Sequence, residues 1–212
     1  MPTLLLYGTD EFAISRRISE IAAKTDKDGM NTSRLEARLT SDEDLNNAVN
    51  SMPFLSDKRL VIFINPSQKF TAGEPRKKFT AFLNNVPPTT LLVMHETVEP
   101  KEAEKHWLVK WAAKTESAKS EAHMAPKARD MAGWIINEMK RQGGKITSEA
   151  AGKLAEMVGE DPRQAAQEIA KLLTYVNWAR QVEVKDVEAV SVSTAQVDIF
   201  AFVDSLAAGD GQ

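Results

Sequence analysis

The 212-residue chain has no cysteine, so disulfides and thiolate metal sites are excluded and a reducing compartment is the natural setting. Aromatic residues are scarce, at 7%. Net charge is small, formally −3, so no whole-molecule field draws the chain toward nucleic acid as its main ligand. No apolar run approaches the roughly 20 residues that a membrane helix requires. The N-terminus lacks the basic flank and long apolar stretch of a secretory leader. The three histidines, His95, His106 and His123, have no i,i+4 partner and no clustered acids, which zinc or triad chemistry needs, and they read as ordinary surface or core residues. No G-x-S-x-G, internal repeat or low-complexity segment occurs. With 42% hydrophobic residues, there is enough apolar material for one large or two modest packed domains. These absences predict a soluble, cytoplasmic protein without a resident metal or cofactor.

What is present is an alternation of strand and helix patterns. Thr3–Tyr7 reads as a buried strand, and Ile14, Ile18, Ile21 and Ala22 share a helical face. Arg34–Leu39 alternates, with Leu35, Ala37 and Leu39 on one side, as a half-buried strand near a sheet edge would. Leu60–Ile64 and Leu91–Met94 are apolar throughout, the mark of strands covered on both faces. Helical stripes of Phe79, Phe82, Leu83 and Val86, and of Trp107, Leu108, Trp111 and Ala112, lie between and after them. Glu116–Ala122 is a weaker, polar strand. This order predicts an α/β domain over residues 1–125, with a parallel sheet between helical layers.

From Pro126 only helical patterns follow. Pro126 suits a first helical position, and Gly143-Gly144 a helix end. Thr147 suits an N-cap, with Gly159 closing that helix. Asp161-Pro162 opens the next, striped by Ala165, Ala166, Ile169, Leu172, Leu173 and Val176, and Lys185–Val190 reads as a short fourth helix. Residues 126–196 are therefore expected to form a small helical domain. Val197–Ala208 reads as a further amphipathic helix, carrying Ile199, Phe200, Val203 and Leu206.

The most informative stretch is Asn50–Ile64, N-S-M-P-F-L-S-D-K-R-L-V-I-F-I. Helical spacing of Leu45, Ala48, Val49 and Met52 places Met52 toward the core, and Pro53 ends the helix because the residue before a proline avoids helical angles. Phe54 and Leu55 fall past the stripe. Such an apolar pair in a connection either plugs the core or stands out as a binding anchor. Together with L-L-L-Y-G-T-D-E-F at residues 4–12, this stretch resembles the delta subunit family of the bacterial DNA polymerase III clamp loader, and most of the chain fits, down to V-D-I-F-A-F-V-D-S-L-A-A-G-D at residues 197–210. Order and spacing of several weak motifs carry the likeness.

The resemblance implies an AAA+ (P-loop-NTPase-like) three-layer domain and a helical lid, with residues 197–212 beginning a collar domain that is cut short. It implies that Phe54 and Leu55, with Pro53, Met52 and Ser56 beside them, dock in an apolar pocket of the sliding clamp (the beta subunit), with Ser56, Asp57, Lys58 and Arg59 as a polar rim. The implied partners are that clamp and the tau/gamma and delta prime subunits. DNA is reached mainly through the assembled complex, within a holoenzyme whose polymerase is a nucleotidyltransferase. In that reading the chain opens the clamp for loading at primed DNA and is not itself an enzyme.

The residues also speak against a nucleotide site. A P-loop needs glycines, a phosphate-binding lysine and a Ser/Thr for magnesium. After the first strand the chain reads G-T-D-E-F-A-I-S-R-R, with one glycine and no lysine. Asp10 and Glu11 stand where a phosphate would meet the helix N-terminus and would repel it. The later strands lead into Asn65-Pro66 and His95-Glu96 rather than paired acids, and the Ser-Arg-Cys motif of loader relatives is replaced by H-E-T-V-E-P-K. G-E-D-P-R-Q-A-A-Q at residues 159–167 resembles the lid helix whose arginine senses nucleotide in AAA+ proteins, which makes Arg163 a vestigial sensor position. Lys69, Arg76, Lys77 and Lys78, and Lys101, Lys105, Lys110 and Lys114, form basic patches open to a weak phosphate contact. Trp107 and Trp111 are spaced for a core face. The rival readings are an active AAA+ ATPase and an unrelated α/β interaction module.

Overall fold

The computed structural model describes residues 2–190. The chain divides into two compact units, the first running to Ala125 and the second starting at Pro126. The predicted helix Val197–Ala208 lies outside the described residues.

The first unit is a five-stranded sheet, β1 (Thr3–Gly8), β2 (Thr32–Glu36), β3 (Arg59–Ile64), β4 (Thr90–Thr97) and β5 (Ala118–Ala122), in the order β2-β3-β4-β1-β5. Every pairing is parallel. Four helices connect the strands: α1 (Glu11–Thr25), α2 (Asp42–Asn50), α3 (Gly73–Leu83) and α4 (Trp107–Lys114). Alternation along the strands divides the apolar residues into two cores. Leu4, Leu6, Leu60, Ile62 and Val93 pack against Ile14, Ile18 and Ile21 of α1. Leu5, Val61, Phe63, Leu92 and Met94 point the other way, against Leu45 and Val49 of α2, Phe79 and Leu83 of α3, and Leu108 and Ala112 of α4. One helix on one face and three on the other is what crossovers of a single hand produce from this strand order.

Three local expectations change. Strand β2 is Thr32–Glu36 rather than Arg34–Leu39, because the chain turns at once after Glu36: the amides of Leu39 and Thr40 and the Thr40 hydroxyl all bond to the Glu36 carbonyl. Ala37 is buried, but Leu39 is 81% exposed. Helix α2 stops at Asn50, where Ser51 turns extended and bonds back to the Asn47 carbonyl through its amide and hydroxyl. Met52 therefore leaves the helical stripe and stands 78% exposed instead of facing the core. Strand β4 also runs past Met94 through His95 and Glu96, so these two residues lie inside the sheet rather than beyond it.

In the second unit, α5 (Ala128–Arg141), α6 (Ser148–Val158), α7 (Pro162–Tyr175) and α8 (Val184–Val190) surround Met131, Ile135, Met139, Leu154, Ile169, Leu172 and Leu173. Helix α5 begins at Ala128 after Lys127 at the cap, two residues beyond Pro126. Thr147 caps α6 and Asp161 caps α7, each by accepting main-chain amides of its first turn. Asp186 is buried and accepts both guanidinium nitrogens of Arg180, at 2.6 and 2.7 Å, together with the Glu183 amide at 2.9 Å.

The Arg180 hydrogen bonds hold the Asp186 carboxyl at about 2, below its ordinary 3.8. A carboxyl depressed in the folded state stabilises fully above its unfolded value, and that stability is lost as pH falls toward the folded value. Protection of the α8 amides, measured against intrinsic exchange at each pH, should therefore fall as pH drops from 3.8 toward about 2. In Asp186→Asn the amides should exchange fast already at neutral pH, without that acid step.

Candidate functional site

The two edges of the sheet differ in character. At the carboxyl ends of the strands, where open α/β sheets bind ligands, the chain closes on itself. Gly8 has φ 138°, and a Cβ there would lie 2.0 Å from the His123 carbonyl oxygen. The two-residue turn Thr9-Asp10 follows. The Asp10 amide donates to the His123 carbonyl at 3.0 Å, the His123 amide donates to the Tyr7 carbonyl at 2.8 Å, and the Ala125 amide donates to Thr9 Oγ1 at 3.1 Å. The buried Asp10 carboxylate caps α1, accepting the Ala13 amide at 2.8 Å. Arg17 of α1 clasps Glu121 of β5 through two hydrogen bonds of 2.8 and 2.9 Å, which hold the Glu121 carboxyl below its usual range.

At the neighbouring strand ends some side chains are paired, while His95 Nε2 is buried without a hydrogen-bond partner. Glu96 is buried and accepts the Ser67 amide and hydroxyl at 3.0 and 2.5 Å, yet burial still pushes its carboxyl up. Asn65 sits in the left-handed region at φ 51° and accepts the Thr97 amide through its side chain. Burial pushes His95 below the usual imidazole range, so it stays neutral near pH 7. Among the described residues no group of three or more histidines and acids is placed to hold a metal ion.

At the amino ends of the strands, the connection from α2 to β3 projects outward. Leu55 is 91% exposed, with φ 49°, and Phe54 is 57% exposed. Pro53 is half-buried, whereas Ser56, Asp57 and Lys58 are exposed. Leaving Met52, Phe54 and Leu55 in water forgoes roughly 1.5–3 kcal/mol of burial for each. The loop is not slack despite this exposure. Asn31 is buried, and its carboxamide meets the Phe54 backbone twice: Oδ1 accepts the Phe54 amide at 2.5 Å, and Nδ2 donates to the Phe54 carbonyl at 3.0 Å. The Asn31 carbonyl in turn accepts the Leu60 amide at 2.9 Å.

Asn31 is itself anchored. Its amide donates to Asp26 Oδ2 at 2.8 Å, and the same oxygen accepts the Thr32 hydroxyl at 2.6 Å. The Thr32 hydroxyl bond, with the Asn31 bonds behind it, lowers the Asp26 carboxyl below its ordinary value. A hydrogen-bonded path thus runs from the end of α1 through Asn31 to the backbone of Phe54. Exposed Met30, next to Asn31 in the chain, joins Met52, Phe54 and Leu55 in the apolar surface at this edge. Sequence reading singled out Met52, Pro53, Phe54, Leu55 and Ser56 but not Met30, Asn31 or Asp26. An asparagine in a polar turn carries no local sign that its amide will pair with backbone 23 residues away.

The other candidates are scattered. Arg163 is exposed in the first turn of α7, its amide donating to Asp161. Lys69 donates to the Thr40 carbonyl and pairs with Asp42 at 2.7 Å, Arg76 lies 5.1 Å over the Trp107 ring, and Lys77 pairs with Glu74. Lys101, Lys105, Lys110 and Lys114 remain exposed. Trp107 and Trp111 pack against the sheet core, with Trp111 Nε1 donating to Asn84.

Comparison with known proteins bears on the family and the fold. Residues 4–122, more than half of the chain, match the family model of the DNA polymerase III delta subunit. The chain is 24% identical over 220 residues to DNA polymerase III subunit delta of Bacillus subtilis (strain 168), covering 97% of this chain and 61% of that protein. The solved Bacillus subtilis DNA clamp loader delta protein superimposes with a TM-score of 0.77 at 22% identity, over 97% of this chain and 62% of the other. A variant of Thermotoga maritima RuvB shares the α/β-plus-helical fold more distantly, with a TM-score of 0.50 at 13% identity, over 97% of this chain and 69% of that one. The chain thus spans about three fifths of the delta proteins that it matches. It belongs to the DNA polymerase III delta subunit family.

Proposed function

We propose that this chain is the clamp-binding part of a non-catalytic clamp-loader subunit, and that Phe54 and Leu55 are the side chains that enter an apolar pocket on the sliding clamp. The observation that carries this reading is an apolar pair exposed on a loop whose backbone is pinned from behind by Asn31. Pre-organisation of this kind lowers the ordering cost of binding. Met52, Pro53 and Met30 widen the apolar contact, and Ser56, Asp57 and Lys58 supply a polar rim.

Docking alone does not open a ring. A ligand shifts an equilibrium only by its differential affinity for the two states, so the pair must bind the opened or distorted clamp better than the closed one. The tau/gamma and delta prime subunits are the partners in this reading, with primed DNA reached through the assembled complex in the cytoplasm. The closed Gly8–Asp10 turn, its amide spent on His123 and its helix end capped by Asp10, supports a subunit that does not bind ATP itself. Arg163 then occupies a sensor position with no nucleotide to read.

Calorimetric titration against the sliding clamp of the same organism tests the reading. Phe54→Ala should weaken binding by about 2 kcal/mol or more, as hot-spot truncations do, with little change in Tm. A large fall in Tm would make Phe54 a core residue. Asn31→Ala should weaken clamp binding with Phe54 intact and cost about 1–3 kcal/mol of stability from the hydrogen bonds lost. Faster hydrogen exchange at the Phe54 amide would report the freed loop. Millimolar ATP should leave the Tm unchanged, because a ligand that does not bind the native state cannot raise it.

A further inference from the structure

One end of the helical unit carries exposed aromatic side chains that its own packing does not require. Trp178 is 53% exposed, and Tyr175 three residues earlier is exposed as well. Trp178 and its neighbour Asn177 both lie in the left-handed region, at φ 53° and 50°. For a bulky residue that conformation is a genuine outlier, and such outliers gather at functional sites. Two bonds keep the indole in place. The Trp178 main-chain amide donates to the Leu173 carbonyl at 3.1 Å, and the indole Nε1 donates to the Gln142 carbonyl at 3.2 Å. The pyrrole edge rests near Gly143, and more than half of the residue stays in water.

The surroundings are cationic. The loop carrying Trp178 is stitched to the α5–α6 loop by the Val182 amide on the Lys145 carbonyl and the Thr147 amide on the Val182 carbonyl. Residues 140–147 and 176–182 contain Lys140, Arg141, Lys145 and Arg180 and no acid. Lys140 and Lys145 are exposed and make no ion pair among the described residues. Arg141 and Arg180 pair with Glu138 and Asp186, whose carboxylates are buried beneath them. The nearby exposed acid, Glu183, is paired with Lys185 at 2.9 Å.

We propose that this end of the helical unit binds single-stranded DNA, with Trp178 stacking on a base and Lys140 and Lys145 taking the flanking phosphates. An aromatic platform within a positive surface is the pattern of sequence-tolerant single-strand binding. A protein-docking core would instead be depleted of charge. The site is independent of the Phe54 loop, which lies in the other unit.

The test is fluorescence anisotropy of a labelled oligothymidylate titrated with the whole chain at low salt, about 50 mM, where phosphate contacts are strongest. Wild-type binding should weaken as salt rises. Trp178→Ala should lower affinity about tenfold or more, the scale of losing one stacked base. Trp178→Phe should retain part of it. The double variant Lys140→Ala/Lys145→Ala should reduce the slope of log K against log salt by about 1.4, two phosphate contacts at roughly 0.7 each. Phe54→Ala should bind the oligonucleotide as wild type does. No binding by the folded wild-type chain, or full affinity in Trp178→Ala, would overturn the proposal. Competition by polyglutamate as effective as that of unlabelled oligonucleotide would also overturn it, because the surface would then read charge alone, as an acidic protein partner supplies it. Should Trp178→Ala fail to fold, an unchanged salt slope in the lysine double variant overturns the proposal by itself.

Discussion

Parallel strands cannot be joined by tight turns, so every connection in this sheet must cross one of its faces. That constraint orders the whole first unit. It sends α1 across one face and α2, α3 and α4 across the other, and it buries the strands on both sides. It also assigns each loop to an edge. Connections that leave strands lie at the carboxyl edge, and connections that enter them lie at the amino edge. The Gly8–Asp10 turn belongs to the first kind and the Phe54 loop to the second, so the features that most resemble an ATPase and a binding anchor occupy opposite edges of one sheet.

Each edge has a polar device that decides its behaviour. At the carboxyl edge, Asp10, Glu96 and Glu121 are carboxylates satisfied from within, by the Ala13 amide, by Ser67 and by Arg17. At the amino edge the pairing runs outward instead. Asn31 spends its carboxamide on the Phe54 backbone, and the loop side chains are left free of the core. A satisfied buried amide holds a loop in one conformation because releasing it would strand a donor and an acceptor away from water.

The second unit shows the same economy of buried charge. Glu138 and Asp186 are carboxylates below the surface, covered by arginines whose heads remain partly in solvent. The Arg141–Glu138 pair lies within α5, whereas the Arg180–Asp186 pair ties the loop before α8 to that helix. Trp178 stands among those loops in a backbone conformation that local preference alone would not select.

Much of this was legible in the residues. Apolar runs, alternation, 3.6-residue stripes and terminal prolines and glycines marked the five strands and eight α-helices among the described residues, although β2 shifted its bounds and β5 showed only as a weak polar segment. The family likeness singled out the Phe54 loop because an apolar pair beyond a helical stripe is visible in one dimension. What the sequence could not decide depended on partners distant along the chain. Leu39 and Met52 carry the right spacing for core positions, yet a turn closed on the Glu36 carbonyl and a helix ended at Asn50 put both in water. Asn31 acquires its role only when β2 lies beside β3 and brings residue 31 against residue 54. Periodicity reports which face a residue shares with its neighbours in sequence, while hydrogen bonds across the fold decide which of those faces is covered.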